Sequence, residues 1–126
     1  ITVSRIFSAA HAIRIYDGSL EPLHGHNWTV EVTVEASQLD AIEVVMDFHQ
    51  LEKIVDELIE HVHNKNLNEI APFGRGTDHG PSQVNPTAER VAWWLGTQIT
   101  QALPEHAHLA SVRVGEASGC TATYRP

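Results

Sequence analysis

Hydrophobic and polar positions alternate most clearly between His24 and Glu35. His24, His26, Trp28, Val30, Val32 and Val34 share one parity; Gly25, Asn27, Thr29, Glu31, Thr33 and Glu35 share the other. A period of two with β-branched residues predicts a strand with one buried face, and it puts both histidines on the apolar side. Ile1 to Ala10 predicts a second strand, with Val3, Phe7 and Ala9 on one parity, ending at His11. Tyr16-Asp17-Gly18-Ser19 reads as turn or loop. Val44-Val45-Met46 predicts a short strand leading into a helix, and Asp47 followed by Gln50 resembles a reciprocal capping box. Leu51, Ile54, Val55, Leu58, Ile59 and Val62 then recur at helical spacing. The stretch from Asn64 to Gln83, with Pro72, Gly74, Gly76, Gly80 and Pro81, reads as loop. Asn85-Pro86-Thr87 opens a second helix whose stripe is Val91, Leu95, Ile99 and Leu103, capped by Asn or Thr. Strands around Ser111–Glu116 and Cys120–Tyr124 close the chain. The order β-β-β-α-α-β-β, with strands clustered apart from helices, predicts an α+β fold on a mainly antiparallel sheet.

Length and charge narrow the function classes. The 126 residues predict a single domain spanning 1–126. Eight Lys+Arg against sixteen Asp+Glu give a formal net charge of −8, which argues against nucleic acid or an anionic membrane as partner. A lone cysteine makes no internal disulfide. No apolar run approaches a membrane span and no signal-peptide pattern is present, so a cytoplasmic location is expected.

Nine histidines are the unusual feature. His24-Gly25-His26 is an i, i+2 pair on a strand, so both imidazoles project the same way; His11, ending a neighbouring strand, is a candidate third ligand. Three neutral imidazoles suit Zn²⁺ and leave a fourth position open for Lewis-acid chemistry. Spacing alone also admits a chance pair at a strand end, or the His-x-His sites of cupin and carbonic anhydrase sheets. The two helices fit a cupin poorly. His49, His106 and His108 read as solvated bystanders. His61, His63 and His79 sit at a helix exit and in the Gly-rich stretch after it, where functional residues gather.

Six ordered segments carry a resemblance: Phe7-Ser8-Ala9-Ala10-His11, Leu23-His24-Gly25-His26-Asn27-Trp28, Val45-Met46-Asp47-Phe48, Asn66-Leu67-Asn68, Asn85-Pro86-Thr87-Ala88-Glu89 and Val114-Gly115-Glu116. Together they resemble the 6-pyruvoyl-tetrahydropterin synthase / 6-carboxy-tetrahydropterin synthase family through nearly the whole chain. The resemblance implies a tunnelling fold: a four-stranded antiparallel sheet with two helices on one face, assembling as trimers stacked into a homohexamer with sites between subunits. It implies that His11, His24 and His26 bind Zn²⁺ and that Glu116 anchors the pterin. A carboxylate can pair the two adjacent N–H donors of a 2-amino-4-oxopyrimidine edge. Thr87 and Glu89 read as helix-cap residues. Implied substrates are 7,8-dihydroneopterin triphosphate and relatives, undergoing triphosphate elimination or carbon–carbon cleavage of the side chain.

The pattern departs from the family in two places. The family base is a cysteine in Cys-x-x-x-His-Gly-His; here that position is Leu20, and Cys120 reads as a small core residue. Glu21 instead stands in Glu-x-x-His-Gly-His, resembling a branch that cleaves to 6-hydroxymethyl-dihydropterin, and is the candidate base. The family's Asp-His pair falls on His63 and Asn64. His63 is the candidate proton carrier, with Glu60-His61 and Asp78-His79 as alternatives. Lys65, Arg75 and Arg90 are candidates for a triphosphate, although each taken singly reads better as solvated surface charge. The expected function is a zinc-dependent lyase on a dihydropterin side chain. The alternative is a zinc- and pterin-binding homologue without synthase activity.

Overall fold

The computed structural model describes residues 1–74 and 84–126. His79, Asp78 and Arg75 lie outside the described residues. Strand β1 (Thr2–His11) pairs antiparallel with β2 (His24–Glu35). Helix α1 (Phe48–Val62) follows, then the two-residue strand β3 (Lys65–Asn66) and a 3₁₀ turn at Leu67–Glu69. Helix α2 (Ala88–Ala102) precedes strands β4 (His108–Ala117) and β5 (Cys120–Tyr124). The sheet order is β3-β1-β2-β4-β5.

Alternation places the core where it was expected. Val3, Phe7 and Ala9 of β1 and Trp28, Val30, Val32 and Val34 of β2 are buried on one face, against Leu51 and Val55 of α1 and Val91, Leu95 and Ile99 of α2. Leu103 is half-buried at the end of that stripe. Phe7 and Trp28 are cross-strand partners with rings stacked 5.9 Å apart. Burying an aromatic of this size contributes roughly 2–3 kcal/mol. The sheet's other face carries polar side chains and Ile6, which is 68% exposed. Among the described residues, no helix is long and apolar enough to cross a membrane.

Four local expectations need correction. The sheet has five strands and is mixed, because β3 runs parallel to Ala9 and Ala10. Asn64, at φ 56°, turns the chain out of α1 and donates its N–H to the Ser8 carbonyl (2.7 Å), which launches β3. Two residues are too short to show a period. Val44-Val45-Met46 is not a strand. The Asp40 carboxylate accepts from the N–H groups of Ile42 and Val44 (2.9 and 3.2 Å), so a local turn takes up the Val44 amide that strand pairing would need. Asp47 caps α1 by accepting from His49 N–H at 2.9 Å, but no return bond from Gln50 forms. Cys120 is exposed, since it opens β5 beside the Gly119 turn at the sheet edge.

Candidate metal centre

Strand register brings the three histidines together. His11 lies directly opposite His24, and Ala9 opposite His26, all on the helix-facing side. His11 therefore has one imidazole across from it and one on the diagonal, both within side-chain reach. On the far side of β2, Val30 pairs with Val114 and Thr29 with Gly115. The next residue, Glu116, thus shares their face. Gly115 permits this close pairing, because a Cβ there would overlap the Thr29 hydroxyl.

One potential ligand atom from each of His11, His24, His26 and Glu116 lies within 4.8 Å of the others, a grouping that could hold a metal ion. His11 is fully buried, whereas the side chains of His24, His26 and Glu116 are 40%, 23% and 27% exposed. The His11 and His24 rings have defined tautomers. His11 Nδ1 lies 2.7 Å from the Pro86 carbonyl and His24 Nδ1 lies 2.8 Å from the Pro22 carbonyl. A carbonyl oxygen only accepts, so in the neutral ring each Nδ1 carries the proton and each Nε2 keeps its lone pair. His11 Nε2 and His26 Nε2 are buried without a hydrogen-bond partner. Glu116 Oε1 stands 3.3 and 3.2 Å from them, as ion-pair geometry would have it, yet neither contact is a hydrogen bond. Two orphaned buried imidazole nitrogens aimed at a carboxylate are what a borderline-soft divalent cation would satisfy. The residues fit zinc.

The surroundings stiffen this cluster. Trp28 is buried beneath it, its indole N–H donating to the Ala9 carbonyl at 3.1 Å. The His11 and His26 rings meet Trp28 edge-on, at 4.9 and 5.7 Å between centroids. The Pro86 carbonyl that takes His11 belongs to the entry of α2, where Thr87 caps the helix by accepting from Arg90 N–H.

The remaining site candidates fall in different places. Glu21 Oε1 lies 4.0 Å from His24 Nε2 and accepts the Ile13 N–H at 2.9 Å. His63 is not in the four-residue group. It caps the C-terminus of α1, and its Nδ1 accepts the Ser8 N–H at 3.2 Å. Ser8 is three residues before His11 along β1, about 10 Å at strand spacing. His61 binds the Ala71 carbonyl and packs near Trp94. Arg90 lies over the Trp93 ring at 4.9 Å, and Lys65 is exposed on β3. His49 pairs with Glu52, and His106 and His108 are exposed. Sequence reasoning missed Pro22, Asn68, Asn85 and Pro86 as partners of the site. Asn68 lay inside a recognised motif with no assigned job, and Asn85 was read as a possible helix cap, a place Thr87 takes.

Solved structures share this architecture from end to end. A Caenorhabditis elegans 6-pyruvoyl tetrahydropterin synthase matches with a TM-score of 0.77 over 100% of this chain and 95% of that one, at 22% identity. A Plasmodium vivax 6-pyruvoyltetrahydropterin synthase, in which a glutamate named as a catalytic residue is replaced by alanine, matches with a TM-score of 0.76 at 16% identity, covering 100% and 96%. These likenesses establish the tunnelling fold. The sequence profile described as 6-pyruvoyl tetrahydropterin synthase matches residues 1–126, and the chain belongs to that family. Among its relatives, the dihydroneopterin monophosphate aldolase of Pyrococcus furiosus is 34% identical over 110 residues, 87% of this chain and 82% of that protein. The 6-carboxy-5,6,7,8-tetrahydropterin synthase of Rickettsia conorii is 28% identical over 125 residues, 90% of this chain and 91% of that protein.

Proposed function

We propose that this protein is a zinc-dependent lyase that cleaves the side chain of a 7,8-dihydroneopterin phosphate between carbons, giving 6-hydroxymethyl-dihydropterin. The observation that carries the reading is the His11-His24-His26 cluster with Glu21 4.0 Å from His24 Nε2. The aldolase named among its relatives supports carbon–carbon cleavage over triphosphate elimination, and so does Leu20 in place of the family's thiol base. That the Plasmodium vivax protein has a glutamate named as a catalytic residue supports a carboxylate base.

His11, His24 and His26 would hold the zinc, which when bound would polarise the side-chain hydroxyls and ease their loss of a proton. Glu21 takes the proton of the C2′ hydroxyl. The C1′–C2′ bond then breaks, C2′ leaves as an aldehyde, and the electron pair passes onto C1′ in conjugation with the dihydropterin ring. Protonation at C1′ by the carboxylic acid of Glu21 completes the balance and restores the base. Glu116 binds the 2-amino-4-oxopyrimidine edge, for which its Oε1 must leave the two histidine nitrogens it now faces. Glu21 is better placed for this chemistry than His63, whose Nδ1 is taken by Ser8 about 10 Å along the strand. The helix-free sheet face, with Ile6 exposed, supports assembly with further copies as a homohexamer.

The test is incubation of zinc-loaded protein with dihydroneopterin monophosphate and triphosphate, followed by product analysis. Release of 6-hydroxymethyl-dihydropterin, abolished in Glu21→Ala, is the expected result. Pterin binding without turnover would leave a binding protein in place of an enzyme. A 6-pyruvoyl product would overturn the cleavage step.

A further inference from the structure

Past His11 the chain runs on through Ala12, Ile13 and Arg14, and its backbone groups find unusual partners. Ala12 N–H donates to Asn68 Oδ1 and Ala12 C=O accepts from Asn68 Nδ2, both at 2.7 Å. Two residues on, Arg14 N–H donates to Asn85 Oδ1 at 2.8 Å and Arg14 C=O accepts from Asn85 Nδ2 at 2.9 Å. A primary amide presents one acceptor and one donor side by side, as a peptide unit does. Spaced at i and i+2, the two carboxamides meet one edge of this extended segment in the way a neighbouring strand would.

The opposite edge belongs to Glu21. Its N–H donates to the Ile13 carbonyl at 3.0 Å while its Oε1 accepts the Ile13 N–H at 2.9 Å. The reason lies in the register. His11 faces His24, so the same pairing would set Ile13 against Pro22, which has no N–H. The donor comes one residue earlier, from Glu21, and Arg14 then bridges Leu20. This one-residue slip leaves the Glu21 carboxylate as the acceptor for Ile13.

We propose that Asn68 and Asn85 are positioning residues: two side-chain substitutes for a strand that hold Ala12–Arg14 straight and thereby hold the Glu21 carboxylate beside the histidine cluster. This rests on Glu21 being the base, as argued above. Both asparagines are themselves anchored. Asn68 N–H donates to Asn66 Oδ1, and Asn85 precedes the proline whose carbonyl takes His11 Nδ1. A base displaced by an ångström loses rate far more than affinity.

The test uses the zinc-loaded full chain with Asn68→Ala and Asn85→Ala, each alone and combined with Glu21→Gln. Asn68→Asp and Asn85→Asp keep the acceptor but lose the donor, and serve where an alanine variant fails to fold. Amide hydrogen exchange at Ile13 and Glu21 is expected to quicken about tenfold in the asparagine variants, as for loss of one net hydrogen bond. With dihydroneopterin monophosphate, kcat should fall about tenfold or more with KM nearly unchanged. In the Glu21→Gln background the same substitutions should lower kcat no further. Unchanged exchange would overturn the clamp. An equal fall in kcat with and without Glu21 would overturn its action through that residue. Full turnover by Glu21→Gln alone would instead refute Glu21 as the base, and the catalytic role of the clamp with it.

Discussion

Zinc should stabilise this fold by an amount that the histidine cluster controls. Each Nε2 of His11 and His26 is buried and unpartnered, so the folded chain presents a donor set that the unfolded chain lacks. At a hundredfold excess over its dissociation constant, an ion that binds only the folded state contributes about 2.7 kcal/mol. Unfolding a chain of 126 residues carries an entropy of about 0.26 kcal/mol per kelvin near 60 °C. The melting midpoint should then rise by about 10 °C. His24→Ala is the informative variant. His24 is 40% exposed, so its truncation leaves little cavity, whereas His11 is fully buried and its loss would unsettle the core as well. The assay is scanning calorimetry of chelator-treated protein with and without zinc. The wild type should show the full rise and His24→Ala less than about a third of it. An undiminished rise in His24→Ala, or none in the wild type, would refute the three-histidine site.

Glu116→Gln should keep most of the zinc-induced rise while raising KM for a dihydropterin by roughly 10- to 100-fold, as expected for a lost charge-assisted contact; steady-state kinetics beside the same calorimetry separate the two roles. Gly96→Ala should destabilise the fold by about 1–3 kcal/mol, because a Cβ there would overlap the Tyr124 ring between α2 and β5. Urea unfolding measures it, and an unchanged midpoint would contradict the contact. The surface network around Arg5 gives a pH signature. Hydrogen bonds from Arg5, and then His49, hold the Glu52 carboxyl below its ordinary value of 4.5. A carboxyl lowered in the folded state stabilises above its unfolded value, and that contribution fades as pH falls through the folded one. Arg5→Gln should therefore melt lower than wild type near neutrality, by a margin that shrinks as pH falls below 4.5. A margin independent of pH would show that Arg5 acts by packing instead.

The parts legible in the sequence are those written by side-chain period. A spacing of two from His24 to Val34 both buried that strand face and aligned His24 with His26, so the fold and two candidate ligands came from one signal. Helical spacing likewise found α1 and α2, and with them the side of the sheet that is covered. Three further features left no period to read. Strand β3 has two residues and depends on the left-handed turn at Asn64. The segment at Val44-Met46 is apolar enough for a strand, but Asp40 captures the Val44 amide first. The placement of Glu21 depends on Pro22 lacking an N–H and on two distant asparagines pairing with backbone. Such side-chain-to-backbone bonds carry no hydrophobic signature and join positions up to 71 residues apart. Motif matching picked out Asn68 only as a letter in a pattern and Asn85 as a possible helix cap; the bonds they make become visible when Ala12 and Arg14 are seen to need a donor and an acceptor on the same edge. For the same reason Leu20 can stand where the family pattern has its thiol without disturbing the fold: it is exposed and outside the buried stripes that build the sheet and its two helices.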